Sequence, residues 1–477
     1  MTLLFLRAKV GREPGPAVNP LPCTATLSSA GRHGHRRHAR TMAVWALLAG
    51  FGITAGEGMP HKLDSKVKEK WLWDTYGEGV RDALKSEPQR VVRMIHRFHW
   101  TAQSEIIDAW KDYPGFPATF DFSFKYSVAH MYSIPNPPFI QDVLQGMPAG
   151  RRTWLTVRND DVYSFRWGNP EYARAYIKAI PGPDRIAGFY MGPDGYIWGR
   201  EFLSRRPQKP HQLVMQKQWY SFLLWGRLAY DPALPDEHFQ SIVTQKFPEV
   251  NGAALYRAWG EASMVFPLIT RFFWGDIDLK WFPEACLSHP RHRGFYTVRH
   301  FVEGRSMPGS GVLSVLEWRK KKLAGEAMGG VTPLEIAAQL EAAAGKALQG
   351  VQGMRGERRE LKETLGDIRA MSYLAQYYAA KIRGATALAL YDRSSSAADK
   401  GEAVQSLQRA VQAWQSYAQA YTEQYTTPHL YNRVGFVDMN GLTIKVKQDI
   451  DIAERWKPGT IAGDEGVSNA GDRLFRK

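Results

Sequence analysis

Cysteine is almost absent from this 477-residue chain, with Cys23 and Cys286 far apart in sequence. Two such residues build neither a disulfide framework nor a cysteine metal site. Also missing are a Gly-x-Gly-x-x-Gly dinucleotide loop, a phosphate-binding loop and a nucleophile-elbow sequence. Their absence argues against nucleotide-dependent oxidoreductases, kinases and serine esterases. Acids are the scarcer charge, 47 Asp and Glu against 62 Lys and Arg, for a net charge of +15. The excess is uneven: residues 1–41 hold seven Arg or Lys against the single acid Glu13. No Lys/Arg stripe interleaved with aromatics traces a phosphate backbone, so nucleic acid is not an expected partner.

Residues 1–41 are rich in Gly, Pro, Ser, His and Arg without sustained periodicity and are expected to be disordered. Arg36 and Arg37 ahead of the apolar stretch Met42 to Ile53 read in one way as a twin-arginine export signal. Gly50 and Gly52 interrupt that stretch and it runs straight into Glu57, so a buried strand is the preferred reading. Stable membrane insertion is not expected. As written the chain is cytoplasmic unless residues 36–56 act as an export signal.

Aromatic residues are plentiful, with 16 Trp, 21 Tyr and 22 Phe. Most are expected in the core. The remainder suit sugars, whose C–H faces pack on rings while hydroxyls bond the polar edges.

Five times between Leu47 and Asp194 an apolar, strand-like stretch runs into polar and charged residues and is followed by a helical segment. Leu47 to Ile53 leads into Glu57; Val91 to Ile95 into His96 and His99; Phe120 to Phe124 into Lys125 and Tyr126. Thr153 to Val157 leads into Arg158, Asn159, Asp160 and Asp161, and Ile186 to Met191 into Asp194. This is the rhythm of a (β/α) barrel, whose chemistry sits where the strands end. Closure needs eight strands, and three are missing. The expected fold class is therefore α/β, an incomplete (β/α) TIM-type barrel followed by an α-helical bundle.

Helices are expected over Trp71 to Leu84, Thr101 to Trp110 with Thr101 as N-cap, and Pro137 to Leu144. Asn169, Pro170 and Glu171 open another through Ile180, and His211 to Leu228 is read as one long aromatic helix. Asp236 to Lys246 and Gly252 to Thr270 follow. From Thr332, Pro333 and Glu335, a capping box, three amphipathic helices form the bundle. The expected organisation is a basic segment 1–41, a partial barrel 42–330, a helical bundle 331–456 and a flexible tail 457–477.

The motifs Gly52-Ile53-Thr54-Ala55-Gly56-Glu57, Thr75-Tyr76-Gly77-Glu78-Gly79, Phe124-Lys125-Tyr126, Arg158-Asn159-Asp160-Asp161, Phe165-Arg166-Trp167-Gly168, Gly188 to Glu201 and Trp281-Phe282-Pro283-Glu284 carry a resemblance. Over about residues 44–456 the chain resembles bacterial glycoside-hydrolase-like (β/α)8-barrel proteins, often named for family 6 carbohydrate-binding modules and loosely akin to α-glucuronidases. The resemblance implies that the Gly-Ile-Thr-Ala-Gly-Glu strand is the fourth of eight. The five strands are then the fourth to the eighth, and an N-terminally truncated product is expected. The family context implies a periplasmic or secreted setting.

Glycoside hydrolysis needs two carboxyl groups, one protonated to assist departure and one ionised. The resemblance, by making this the fourth strand, after which the acid of many barrel glycosidases lies, implies Glu57 as the candidate acid, the alternative being a carboxylate that caps its loop. Its partner is sought among Asp160, Asp161 and Asp194. Against these roles, Asp160 or Asp161 could brace the loop through Arg158 or Arg166, and Asp194 could be a turn residue.

His96, His99, Lys125, Arg158 and Asn159 gather donors and positive charge that suit an acidic sugar. His96 and His99 could instead ligate a metal, though no third ligand has fitting spacing. Tyr190, Tyr196, Trp198 and Trp281 are candidates for stacking on substrate, and Glu284 either reaches the site or makes a loop salt bridge. The expected function is hydrolysis of a glycan, one that contains acidic sugars, without a cofactor. The alternative is a non-catalytic glycan-binding protein or an inactive fragment. Oligomeric state is not legible.

Overall fold

The computed structural model describes residues 49–55, 59, 63–98, 101–128, 130–159, 161–192, 199–274, 281–289, 293–431 and 434–464. The basic segment 1–41 lies outside the described residues, as do Glu57, His99, Asp160, Asp194, Tyr196 and Trp198. The chain divides into two compact units. The first holds the chain to Tyr126 with Phe139–Thr156 and Pro181–Tyr190; the second holds Ser127–Pro138, Val157–Ile180 and everything from Met191.

The five expected strands are present: β1 Gly50–Thr54, β2 Arg93–Arg97, β3 Phe120–Lys125, β4 Thr153–Arg158 and β5 Ile186–Gly192. They bond side by side in chain order, with β1 to β4 paired in parallel. Parallel neighbours require a crossover. Helices between consecutive strands supply it, so the architecture is α/β.

Side chains alternate across a strand, and here the alternation sorts apolar from polar. In the first unit Phe51 pairs with Met94, Ile53 with His96, Met94 with Phe120 and His96 with Phe122. This row enters a core with Leu72, Tyr76, Val80, Ile106, Trp110 and Tyr113 from the crossover helices and loops. Burying each large side chain contributes roughly 1.5–3 kcal/mol. The opposite row is polar: Arg93 Nη1 donates to Asp121 at 2.7 Å, Trp154 Nε1 donates to the same carboxylate at 3.1 Å, and Ser123 bonds the Tyr190 hydroxyl at 2.9 Å.

The helix expected at Trp71 begins earlier, at Ser65, because Asp64 caps it by accepting from Lys66 N at 2.8 Å. It continues to Leu84 through a π-helical stretch, Trp73–Gly77. Thr101 is not the cap of the next helix, Gln103–Trp110; Ala102 stands at that position and Glu105 reaches back to its N–H.

The second unit is mostly helical. Asn169 caps Pro170–Ala179 by accepting from Tyr172 N at 2.7 Å, as the sequence implies. The capping box at Thr332 and Glu335 opens Pro333–Gly350. Two long helices follow, Arg359–Ser394 and Ala397–Gln424. They fold back on each other through Ser395, which takes a left-handed φ of 56°. At Gly384 they approach so closely that a Cβ would lie 2.8 Å from the Leu407 side chain.

The boundary expected near residue 330 falls inside this unit, where Pro333–Gly350 packs on Gly252–Ser263. The bundle region also holds an element not foreseen, the antiparallel hairpin of β6 His429–Tyr431 and β7 Gly435–Val437. The described part of the expected tail is tied down: Arg319 Nη2 donates to Asp464 at 2.5 Å.

Candidate functional site at the strand ends

In the second unit the chain leaving β3 turns through Ser127 to Pro138, and the chain leaving β4 runs from Asn159 to Gly168. The two loops are held together by backbone. Met131 N donates to Arg158 O at 3.1 Å, and His130 and Asn159 form an antiparallel bridge. A left-handed φ of 55° at Val128 turns the first loop back, and Ser133 Oγ donates to His130 O at 2.7 Å.

This brings together a pair that no sequence motif announces. His130 Nδ1 lies 2.5 Å from Asp161 Oδ1, and Tyr132 N donates to Asp161 Oδ2 at 3.2 Å. Both residues are buried, and the edge of Trp274 meets the imidazole at 5.3 Å between ring centres. A carboxylate beside Nδ1 fixes the ring proton there, which leaves the lone pair of the neutral imidazole on Nε2. His130 was missed because it stands five residues past the strand; its position between a strand end and Pro135 is the only sequence signal.

Asp161 was expected either to face a substrate or to brace its loop through Arg158 or Arg166. The structure gives it His130 instead. Arg166 turns the other way, with its Nη1 donating to Asp367 at 2.8 Å and its Nη2 bonded to Glu363.

Glu284 enters the same loop. Its carboxylate accepts from Tyr163 N at 2.5 Å and from Ser164 N at 2.8 and 3.0 Å, so the loop salt bridge considered for it is replaced by backbone N–H groups. Burial pushes this carboxyl up to about 7, although the Ser164 and Tyr163 N–H groups and the charge of Lys217 favour the ionised form. Beside it Ser164 Oγ bonds the hydroxyls of Tyr421 at 2.8 Å and Tyr431 at 2.7 Å. Trp281, 1% exposed, is covered by Phe273, Tyr296 and Tyr378. It is core, which corrects its reading as a stacking platform. Arg158 ends β4 buried, and Asn159 follows it with 9% exposure.

In the first unit, His96 needs a correction of another kind. It lies within β2 rather than after it, on the row that faces the helices. Its Nε2 is 2.8 Å from Glu69, which also accepts from Trp110 Nε1 at 3.0 Å. Burial opposes the Glu69 charge, but His96 and Trp110 outweigh it and hold that carboxyl below its usual range. His96 is thus spent inside the fold. Lys125, the last residue of β3, and Tyr190 occupy the polar row, where the Tyr190 hydroxyl also bonds Thr156 Oγ1 at 2.5 Å.

Among the described residues no group of three His, Cys, Asp or Glu side chains is placed to hold a metal ion. No described helix is long and apolar enough to cross a membrane.

No family model matches this chain, and no curated protein matches it. Among solved structures it is similar to a GH138 enzyme targeting pectin rhamnogalacturonan II, with a TM-score of 0.74 and 14% sequence identity. The match covers 91% of this chain and 65% of that one, so the chain spans less than two thirds of the enzyme's length. At this identity the likeness is one of fold.

Proposed function

We propose that the chain is a glycoside-hydrolase-like protein whose strand-end loops receive an acidic oligosaccharide or polysaccharide. The observation that carries this reading is the likeness of fold, over 91% of the chain, to an enzyme that targets pectin. Pectin is an acidic polysaccharide, and a cation such as Arg158, the last residue of β4, suits such a ligand. The five strand–helix units are, on this reading, part of a (β/α) barrel of the kind resembled by the strand-end motifs. The links to family 6 modules and α-glucuronidases belong to the same proposal.

Glu57 is the general acid. Asp161 has both oxygens engaged by His130 and Tyr132, so the second carboxylate is Asp160 or Asp194 and Asp161 supports the loop. His99, Asn159, Tyr190, Tyr196 and Trp198 complete the substrate contacts.

The test is reducing-end release from a panel of acidic polysaccharides by the wild type and a Glu57→Gln variant, after both are checked for cooperative melting. Loss of a general acid lowers turnover by about 10²–10⁴-fold. Equal product from both proteins refutes the role of Glu57. Saturable glycan binding by a folded wild type without product would favour the second reading, a non-catalytic glycan-binding protein. That reading draws on the engagement of Asp161 and Glu284 by protein groups.

A further inference from the structure

His130 Nε2 is buried and has no hydrogen-bond partner among the described residues. Asn159 Oδ1 is likewise buried without one. The two residues are bridge partners in an antiparallel pair. Such partners point their side chains to the same face, with Cβ atoms about 5 Å apart. Native proteins leave few buried polar atoms unsatisfied, and here two acceptors lie side by side at strand ends. Asp161 has both oxygens occupied, by His130 Nδ1 and by Tyr132 N. What the pair carries is therefore acceptor lone pairs, which suit hydroxyl donors; among the described residues no group of three His, Cys, Asp or Glu side chains is placed to hold a metal ion there instead.

We propose that His130 Nε2 and Asn159 Oδ1 form a hydroxyl-recognising subsite that accepts two O–H donors of one sugar ring, with Asp161 as the residue that positions the imidazole. This rests on the glycan reading above and adds to it the groups that read the ring. His130 contacts the ligand and Asp161 acts through His130. The Trp274 ring, its centre 5.3 Å from the imidazole centre and its plane inclined at 70° to it, limits how far the imidazole can swing.

The test uses the full chain with ¹⁵N-labelled histidine. The probes are D-galacturonic acid and its 2-deoxy and 3-deoxy analogues, with D-xylose and D-glucose for comparison. Nitrogen shifts of the free protein should show the proton on Nδ1 of His130, and titration with a binding sugar should move Nε2. One lost hydrogen bond is worth about threefold to tenfold in affinity. We expect that loss, read by Trp fluorescence, in His130→Phe and in Asn159→Leu, with partial recovery in His130→Gln, whose amide oxygen still accepts.

Asp161→Asn should mix the two tautomers and weaken binding, a change that a merely structural role would not produce in the nitrogen shifts. If a variant fails to fold, the wild-type titration decides. Saturable sugar binding with an unmoved Nε2 and unchanged affinity in the variants overturns the subsite and leaves the glycan reading standing. A folded wild type that binds none of the probes and releases no product removes the glycan reading, and this ligand class with it.

Discussion

Glu284 makes a prediction whose sign and size both follow from its surroundings. It is fully buried, and burial raises its carboxyl from an ordinary 4.5 to about 7. Between those two pH values the folded protein holds a proton that the unfolded chain has released. Stability from this group is therefore fully present below about 4.5 and is lost as pH rises through about 7. At about 1.36 kcal/mol per pH unit the whole interval corresponds to roughly 3 kcal/mol.

Glu284→Gln removes the titration and keeps the volume. Its amide nitrogen would confront the Ser164 N–H, which now donates to both carboxylate oxygens. That clash of donors costs about 1–3 kcal/mol, but it is the same at every pH. His429, held below its usual range by burial, titrates with the opposite sign: its contribution is present above 6.5 and is lost as pH falls. Both proteins share it, so it cancels in the difference. Urea denaturation followed by Trp fluorescence at half-unit steps from pH 4.5 to 8 measures that difference. Wild type should lose roughly 3 kcal/mol relative to the variant across this range. Parallel curves would refute the argument, because they would mean that Glu284 is already ionised near its ordinary pKa.

Lys381→Met should leave Asp449 buried without its partner, now 2.7 Å away, and lower stability by about 3–5 kcal/mol in denaturant titration. Adding Asp449→Leu should recover most of that loss, and failure to recover would show that the pair does more than neutralise itself. Gly168→Ala would place a Cβ 2.4 and 2.5 Å from two atoms of the Tyr220 ring. It should cost about 1–3 kcal/mol in thermal melting, and an unchanged melt would mean that the ring shifts freely.

The strands were legible because each is an apolar run too short for a helix and closed by charged or turn-forming residues, and length with flanking residues is what separates a buried strand from a buried helix. Helix existence was legible as well, and helix continuity was not. The segment Gly252 to Thr270 reads as one helix but restarts at Val265 after Met264. Pro267 gives the reason: it falls in the first turn of the new helix, where its missing N–H would have no helical partner anyway. His211 to Leu228 likewise resolves into Val214–Lys217 and Trp219–Tyr230, with Gln218 between them outside helical geometry. The hairpin β6–β7 was missed because three-residue strands show no periodicity, and its cross-strand pair Leu430 and Phe436 stays exposed.

Where the structure places each site residue follows a rule. A residue inside a strand is committed to a face by parity, so one residue of strand length decides its fate. Ending β2 at Ile95 makes His96 a rim residue; ending it at Arg97 places His96 between Ile53 and Phe122, in the row that faces the helices. Residues past the strand escape parity, and their partners come from elsewhere in the chain. Asp161 meets His130 across 31 residues and Glu284 meets Ser164 across 120. Whether a given carboxylate faces a ligand or another protein group depends on the neighbouring loop. For Asp161 that partner is an imidazole, His130, 2.5 Å away.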